Sequence, residues 1–144
     1  SGAPYQIKMK RICDSAVRRT RLEGRVVFTG FISDRELDML FKICDFLVYP
    51  SLYEGFGIPV LEAMQAGVPV ITSNVSALPE TAGDAALLVD PYKVEEIAKA
   101  MERLLSDLKL RISLIEKGKK RASLYTWDRA AESYRKLYYE VSLI

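Results

Sequence analysis

Two carboxylates, Glu54 and Glu62, bracket a glycine-bearing loop and a helix start, and this stretch holds the most chemistry in the chain. Gly55, Phe56, Gly57 and Ile58 follow the first carboxylate directly. A carboxylate accepts hydrogen bonds and repels phosphate, so its natural partners are hydroxyls. Upstream, Asp45-Phe46-Leu47-Val48-Tyr49 is a short apolar run of β-branched and aromatic residues that stops at Pro50, and it reads as a buried strand. Downstream, Ile58-Pro59 opens a helix, with proline in the first turn, where its missing N–H costs nothing. Val60, Leu61 and Met64 recur at helical spacing, and Gly67 ends the run. Strand, glycine loop, helix is an anion site in α/β folds: the first-turn N–H groups lack partners and the helix dipole adds positive potential. A phosphate fits against Gly55, Phe56, Gly57 and Ile58 with no bulky side chain in its way. Glu54 lies before the helix and Glu62 about one turn inside it. A diphosphate with hydroxyl-bearing groups at both ends, a sugar and a ribose, matches that order. The plainer reading is a glycine turn followed by an amphipathic helix with a solvated Glu.

Glu54-x7-Glu62, inside Pro50-Ser-x-Tyr-Glu-Gly-Phe-Gly-x-Pro-x-Leu-Glu-Ala-Met-x-Ala-Gly67, resembles the donor-site motif of retaining GT-B glycosyltransferases of family 4, the "group 1" transferases. Gly67-Val68-Pro69-Val70-Ile71-Thr72-Ser73 continues the likeness. The resemblance implies that Glu54 is the catalytic-site carboxylate that contacts the donor sugar's hydroxyls. It implies that Glu62 holds the ribose and that the Gly55, Phe56, Gly57 and Ile58 N–H groups take the diphosphate. It also places the loop after residues 25–30 under the nucleotide base, so Phe31 and Ile32 are candidate base contacts; simple packing of two apolar residues at a strand end is the alternative. The implied donor is a nucleoside-diphosphate sugar, GDP-mannose or a UDP-sugar, with no cofactor and no metal. The implied acceptor is a carbohydrate or a lipid-linked saccharide. Residues 73–80 look most like mannosyltransferases of surface-polysaccharide synthesis. Two other readings stay open: a nucleotide-sugar-binding module without catalysis, and a relative of glycogen or sucrose synthases, which carry the same Glu-x7-Glu region.

The elements that must position this stretch follow from periodicity. Residues 5–22 read as a helix crowded with Lys8, Lys10, Arg11, Arg18, Arg19 and Arg21, preceded by a turn at Ser1-Gly2-Ala3-Pro4. A solvated face explains the basic residues, and docking on anionic lipid is the sharper reading. Arg25-Val-Val-Phe-Thr-Gly30 reads as a strand. Ser33 then caps a helix over 34–42, with Glu36 at the capping-box position and Leu37, Leu40 and Phe41 inward. Residues 68–72 and 85–90 read as further strands, with a short helix near Pro79 between them. Asn74, Ser76 and Glu80 lie beyond a strand's carboxyl end, where open α/β sheets bind ligands, and turn chemistry accounts for Asn74 and Ser76. Helices follow over 94–105, 108–124 and from Trp127 onward. The first turns Ile97, Met101, Leu104 and Leu105 to one face. The last carries a stripe of Trp127, Ala130, Ala131, Tyr134, Tyr138 and Val141, with Trp127 as a core anchor and Thr126 or Asp128 as its cap. Lys117-Gly-Lys-Lys-Arg121 reads as a solvated helix end.

Four strands interleaved with helices predict an α/β fold: a Rossmann-like parallel sheet with flanking helices and right-handed crossovers. With the resemblance, residues 1–144 correspond to one partial donor-binding domain, the C-terminal half of a GT-B enzyme. That domain's first two strands and the whole acceptor domain are expected before Ser1. The chain alone is then expected to be inactive, and either to re-pair residues 26–29 with 46–49, to take the missing strands from another chain, or to be a piece cut from a longer protein. Composition agrees with a globular domain: 144 residues, 49% hydrophobic, net charge +2, with no nucleic-acid footprint. There is no histidine, which excludes a histidine base or ligand, and no Asp-x-Asp. Cys13 and Cys44 read as small buried hydrophobes of a reducing cytoplasm, and the expected location is the cytoplasm or the inner face of its membrane.

Overall fold

The computed structural model describes residues 4–142, so Ser1, Gly2 and Ala3 of the expected N-terminal turn lie outside the described residues. The chain divides into two units, Ser1–Ser33 and Asp34–Ile144. The first holds helix α1 (Pro4–Arg19) followed by turns and irregular chain. The second holds α2 (Asp34–Ile43), β1 (Leu47–Tyr49), α3 (Ile58–Gln65), β2 (Val70–Ser73), α4 (Leu78–Ala82), β3 (Ala86–Val89), α5 (Val94–Ser106), α6 (Leu108–Ala122) and α7 (Trp127–Ser142).

The sheet is parallel, in the order β1-β2-β3. Leu47 stands opposite Val70 and Tyr49 opposite Thr72; Val70 stands opposite Ala86 and Ser73 opposite Val89. Each parallel neighbour is reached through a helix, α3 then α4, as a parallel sheet requires. β2 is central and every residue in it is buried, which explains its unbroken Val-Ile-Thr character. Successive side chains of a strand point to opposite faces, and the core divides accordingly. Val70 joins Val60, Met64 and Leu78 on one face, and Ile71 joins Val89, Leu104 and Leu114 on the other. Leu47 and Tyr49 pack with the first cluster, Phe46 and Val48 with the second. α6 lies close along α3 because Gly118 has no side chain: a Cβ there would stand 3.1 Å from Met64 Cγ. Among the described residues no helix is long and apolar enough to cross a membrane.

Several expectations fail here for physical reasons. Residues 25–30 form no strand. Val27 is 80% exposed, and no backbone pairs with this stretch in a ladder. High β-propensity describes a side chain's fit to a pleated, half-buried surface, so without a partner it makes no strand. The α/β layer fold with a parallel sheet stands, with three strands among the described residues instead of four. Trp127 is not a core anchor: it is 87% exposed, and none of α7 is buried. The stripe on α7 is amphipathic, but no element of the described chain covers it. Leu40, Met101 and Leu105 also face outward; the buried face of α5 is set by Ala100 and Leu104. Cys44 is exposed, just past the last turn of α2. Thr126 does accept from the Arg129 N–H, at 3.3 Å, and so caps α7.

Candidate functional site

Tyr49 is the last residue of β1, and the chain then loops through residues 50–57 to the start of α3. Four hydroxyls stitch this loop to the neighbouring elements. Thr72 Oγ1 donates to the Tyr49 carbonyl at 2.9 Å, and Ser73 Oγ to the Ser51 carbonyl at 2.6 Å. Ser76 Oγ donates to the Glu54 carbonyl at 2.7 Å and accepts from the Glu54 N–H at 3.1 Å. Thr81 Oγ1 donates to the Phe56 carbonyl. Thr72, Ser73 and Thr81 are buried, and a buried hydroxyl needs a partner; the loop carbonyls supply it. These bonds engage the carbonyls of Tyr49, Ser51, Glu54 and Phe56. The N–H groups of Gly55, Phe56, Gly57 and Ile58 find no protein acceptor among the described residues.

Gly57 is the residue on which the loop turns into the helix. It caps α3 at φ 95°, in the left-handed region, and its carbonyl accepts from the Val60 N–H at 3.0 Å. A Cβ there would stand 2.7 Å from Leu78 Cδ2. Only glycine fits both the dihedral and the space. At Gly55 a Cβ would meet nothing within 4 Å. Packing therefore does not account for glycine at 55.

Glu54 is partly buried, and its carboxylate is held from β1: Tyr49 Oη donates to Oε1 at 2.6 Å. Hydrogen bonds from Tyr49 and then Ser51 hold the Glu54 carboxyl below its ordinary range. The same bond, followed by burial, pushes the Tyr49 phenol up to about 12, so Tyr49 is a permanent donor. Glu62 is exposed on α3. It lines a groove of about 470 Å³ between α2 and α3, with Asp34, Leu37, Asp38 and Phe41 opposite it.

The structure brings Glu54, Gly55, Phe56, Gly57, Ile58 and Glu62 together on one loop and helix at the carboxyl end of β1. Phe31 and Ile32 belong to the first unit, where Phe31 is wholly exposed and Ile32 partly so. The Phe56 ring turns from the loop onto Tyr125, edge-on at 5.4 Å between centroids, so this residue offers a ligand its amide. Arg121 supports that contact. Its guanidinium lies 5.1 Å from the Tyr125 ring centre, donates to Tyr125 Oη at 2.7 Å and to the Thr81 carbonyl at 2.9 Å, and also bonds the Glu80 carbonyl. Lys117 pairs with Asp84 at 2.8 Å. The basic run at the end of α6 is thus tied to α4 and the turn after it, not merely solvated. Sequence reasoning missed Tyr49 and Thr81 and assigned Ser76 to turn chemistry. The visible signal was Thr72-Ser73 ending a strand otherwise made of Val and Ile: hydroxyls inside a buried strand must bond a neighbouring segment.

The family described as glycosyl transferases group 1 matches residues 9–121. O-antigen chain mannosyltransferase B of Escherichia coli is 41% identical over 112 residues, which are 78% of this chain and 29% of that protein. Among solved structures, sucrose-phosphate synthase from Thermosynechococcus elongatus superposes with a TM-score of 0.83 at 32% identity, over 94% of this chain and 35% of that one. The C-terminal domain of a glycosyl transferase group 1 family protein (LpcC) from Francisella tularensis superposes at 0.75 with 31% identity, over 85% of this chain and 64% of that one. This chain spans less than a third of the curated relative's length.

Proposed function

Because this chain belongs to the group 1 glycosyl transferase family, we propose that it forms the donor site of a retaining glycosyltransferase. The reaction moves a sugar from a nucleoside-diphosphate sugar to an acceptor hydroxyl. The observation that carries this reading is the set of unspent amides at Gly55, Phe56, Gly57 and Ile58, flanked by Glu54 and Glu62. In this reading those amides and the α3 dipole take the diphosphate and stabilise the charge that builds on it as the glycosidic bond breaks. Glu54 orients the sugar through its hydroxyls, and most of the rate comes from positioning. Glu62 accepts from the ribose hydroxyls. No cofactor or metal enters the proposal. The donor is a mannosyl nucleotide such as GDP-mannose and the acceptor a growing polysaccharide; the E. coli relative, whose name describes mannosyl transfer to an O-antigen chain, supports both.

The test separates the two carboxylates in the full-length protein. Glu62→Ala is expected to weaken binding of the nucleoside diphosphate alone, measured by calorimetry. Losing a hydrogen bond to a charged group costs about 1.5–3 kcal/mol, roughly ten- to hundredfold in affinity. Glu54→Ala is expected to spare nucleotide affinity and lose turnover. Nucleotide binding abolished by Glu54→Ala and untouched by Glu62→Ala would reverse the assignment.

A further inference from the structure

We infer that Tyr49 and Ser76 are positioning residues for Glu54, Tyr49 fixing its carboxylate and Ser76 its backbone. The inference rests on the reading of Glu54 as the residue that meets the donor sugar.

The two contacts approach Glu54 from different elements. Tyr49 ends β1, and its ring packs against the core, so its hydroxyl comes from a rigid base. The 2.6 Å separation from Oε1 is that of a charge-assisted O–H···O bond. Ser76 lies in the β2–α4 loop and adopts φ 59°, in the left-handed region that non-glycine residues seldom occupy. Turn serines ordinarily bond their own near neighbours. Ser76 instead spans 22 residues in sequence to bond both the N–H and the carbonyl of Glu54. A strained backbone held in place for two bonds to one distant residue marks that residue as the one being fixed.

The consequence for the site is preorganisation. A glutamate side chain is rich in rotamers, and ordering it at the moment of binding would be charged against the donor. Here Tyr49 has already selected the rotamer. It also favours the form of Glu54 that can accept from sugar hydroxyls. Among the described residues, Tyr49 is the titratable group that bears on Glu54; Ser51, the other contributor, is neutral. Removing the phenol oxygen therefore lets the Glu54 carboxyl rise toward its ordinary range. The acid limb of activity, where Glu54 takes up a proton, must then move to higher pH.

Tyr49→Phe and Ser76→Ala in the full-length protein test this. For Tyr49→Phe the expected result is a fall in kcat of about tenfold, with nucleoside-diphosphate affinity unchanged and the acid limb of the kcat/KM profile displaced upward. For Ser76→Ala the expected result is a lower kcat with the acid limb in place, because Ser76 touches the backbone and not the carboxylate. A carboxyl-labelled NMR titration of Glu54 should move upward in Tyr49→Phe. That titration reports on Tyr49 whether or not Glu54→Ala abolishes transfer, so failure of the donor-site reading and failure of this inference give different results. An acid limb and a Glu54 titration both unmoved by Tyr49→Phe would overturn the inference. So would a loss of nucleotide affinity equal to the loss of kcat, which a merely structural role for Tyr49 would produce.

Discussion

Val48 and Val27 sit in segments of similar character that have opposite fates. Each belongs to a run of apolar, β-branched and aromatic residues, and each run leads through a glycine-bearing loop into a helix. Val48 lies in β1, bonded into a ladder with β2, and packs against the second core cluster. Val27 is 80% exposed in a segment with no ladder. The loops differ in the same way. Gly57 is buried and wedged against Leu78, whereas a Cβ on Gly30 would meet nothing within 4 Å. A segment's own preference is worth little beside what packs on it. A strand exists where a second backbone satisfies its N–H and carbonyl groups, and a tight turn persists where surrounding side chains leave it no alternative.

Three tests sharpen that contrast. The largest difference is expected between Ile71→Ala and Val27→Ala. Ile71 is fully buried at the centre of β2, and its truncation should cost about 2–5 kcal/mol. Val27→Ala should fall within about 0.5 kcal/mol of the parent. Denaturant titration of both variants decides this, and equal losses would mean that residues 25–30 are packed after all. Next comes Gly57→Ala against Gly30→Ala. Gly57→Ala fixes a left-handed alanine in a packed turn, at about 1–2 kcal/mol, whereas the unpacked turn at Gly30 can relax, so Gly30→Ala should fall within about 0.5 kcal/mol of the parent. Only Gly57→Ala adds the clash with Leu78, which brings its expected cost to about 2–4 kcal/mol. A melting temperature lowered equally in both would remove the distinction between the two loops. The smallest effect is expected for Trp127→Ala. An 87% exposed indole on a helix with no buried residue should contribute within about 0.5 kcal/mol. A large loss of stability would restore Trp127 to the core and show that the α7 stripe is covered.

Much of the site was legible in the chain because its signals are local. Proline in the first turn of α3, the αL glycine that caps it and the two carboxylates on either side all lie within one short stretch. Their meaning follows from helix-end chemistry without reference to anything distant. The strand end at Tyr49 was legible for a similar reason, and those at Ser73 and Val89 to within one residue of the expected 72 and 90, since each apolar run is closed by a turn former. What was not legible depends on pairs far apart in sequence. Ser76 with Glu54, Thr81 with Phe56 and Arg121 with Thr81 are separated by 22, 25 and 40 residues. Nothing in a serine's or threonine's immediate neighbours says which distant carbonyl it will meet.

The amino-acid sequence by itself determined which residues can accept from hydroxyls, where an anion can meet free amides and where a helix must start. These are properties of residue type and spacing along the chain. The tertiary structure alone decided which apolar runs became strands and which amphipathic faces were covered. It also decided that Glu54 is gripped by the tyrosine that ends the preceding strand and by a serine from the β2–α4 loop. Those outcomes depend on a partner arriving at the right distance, and hydrogen bonds and packing contacts exist only where it does.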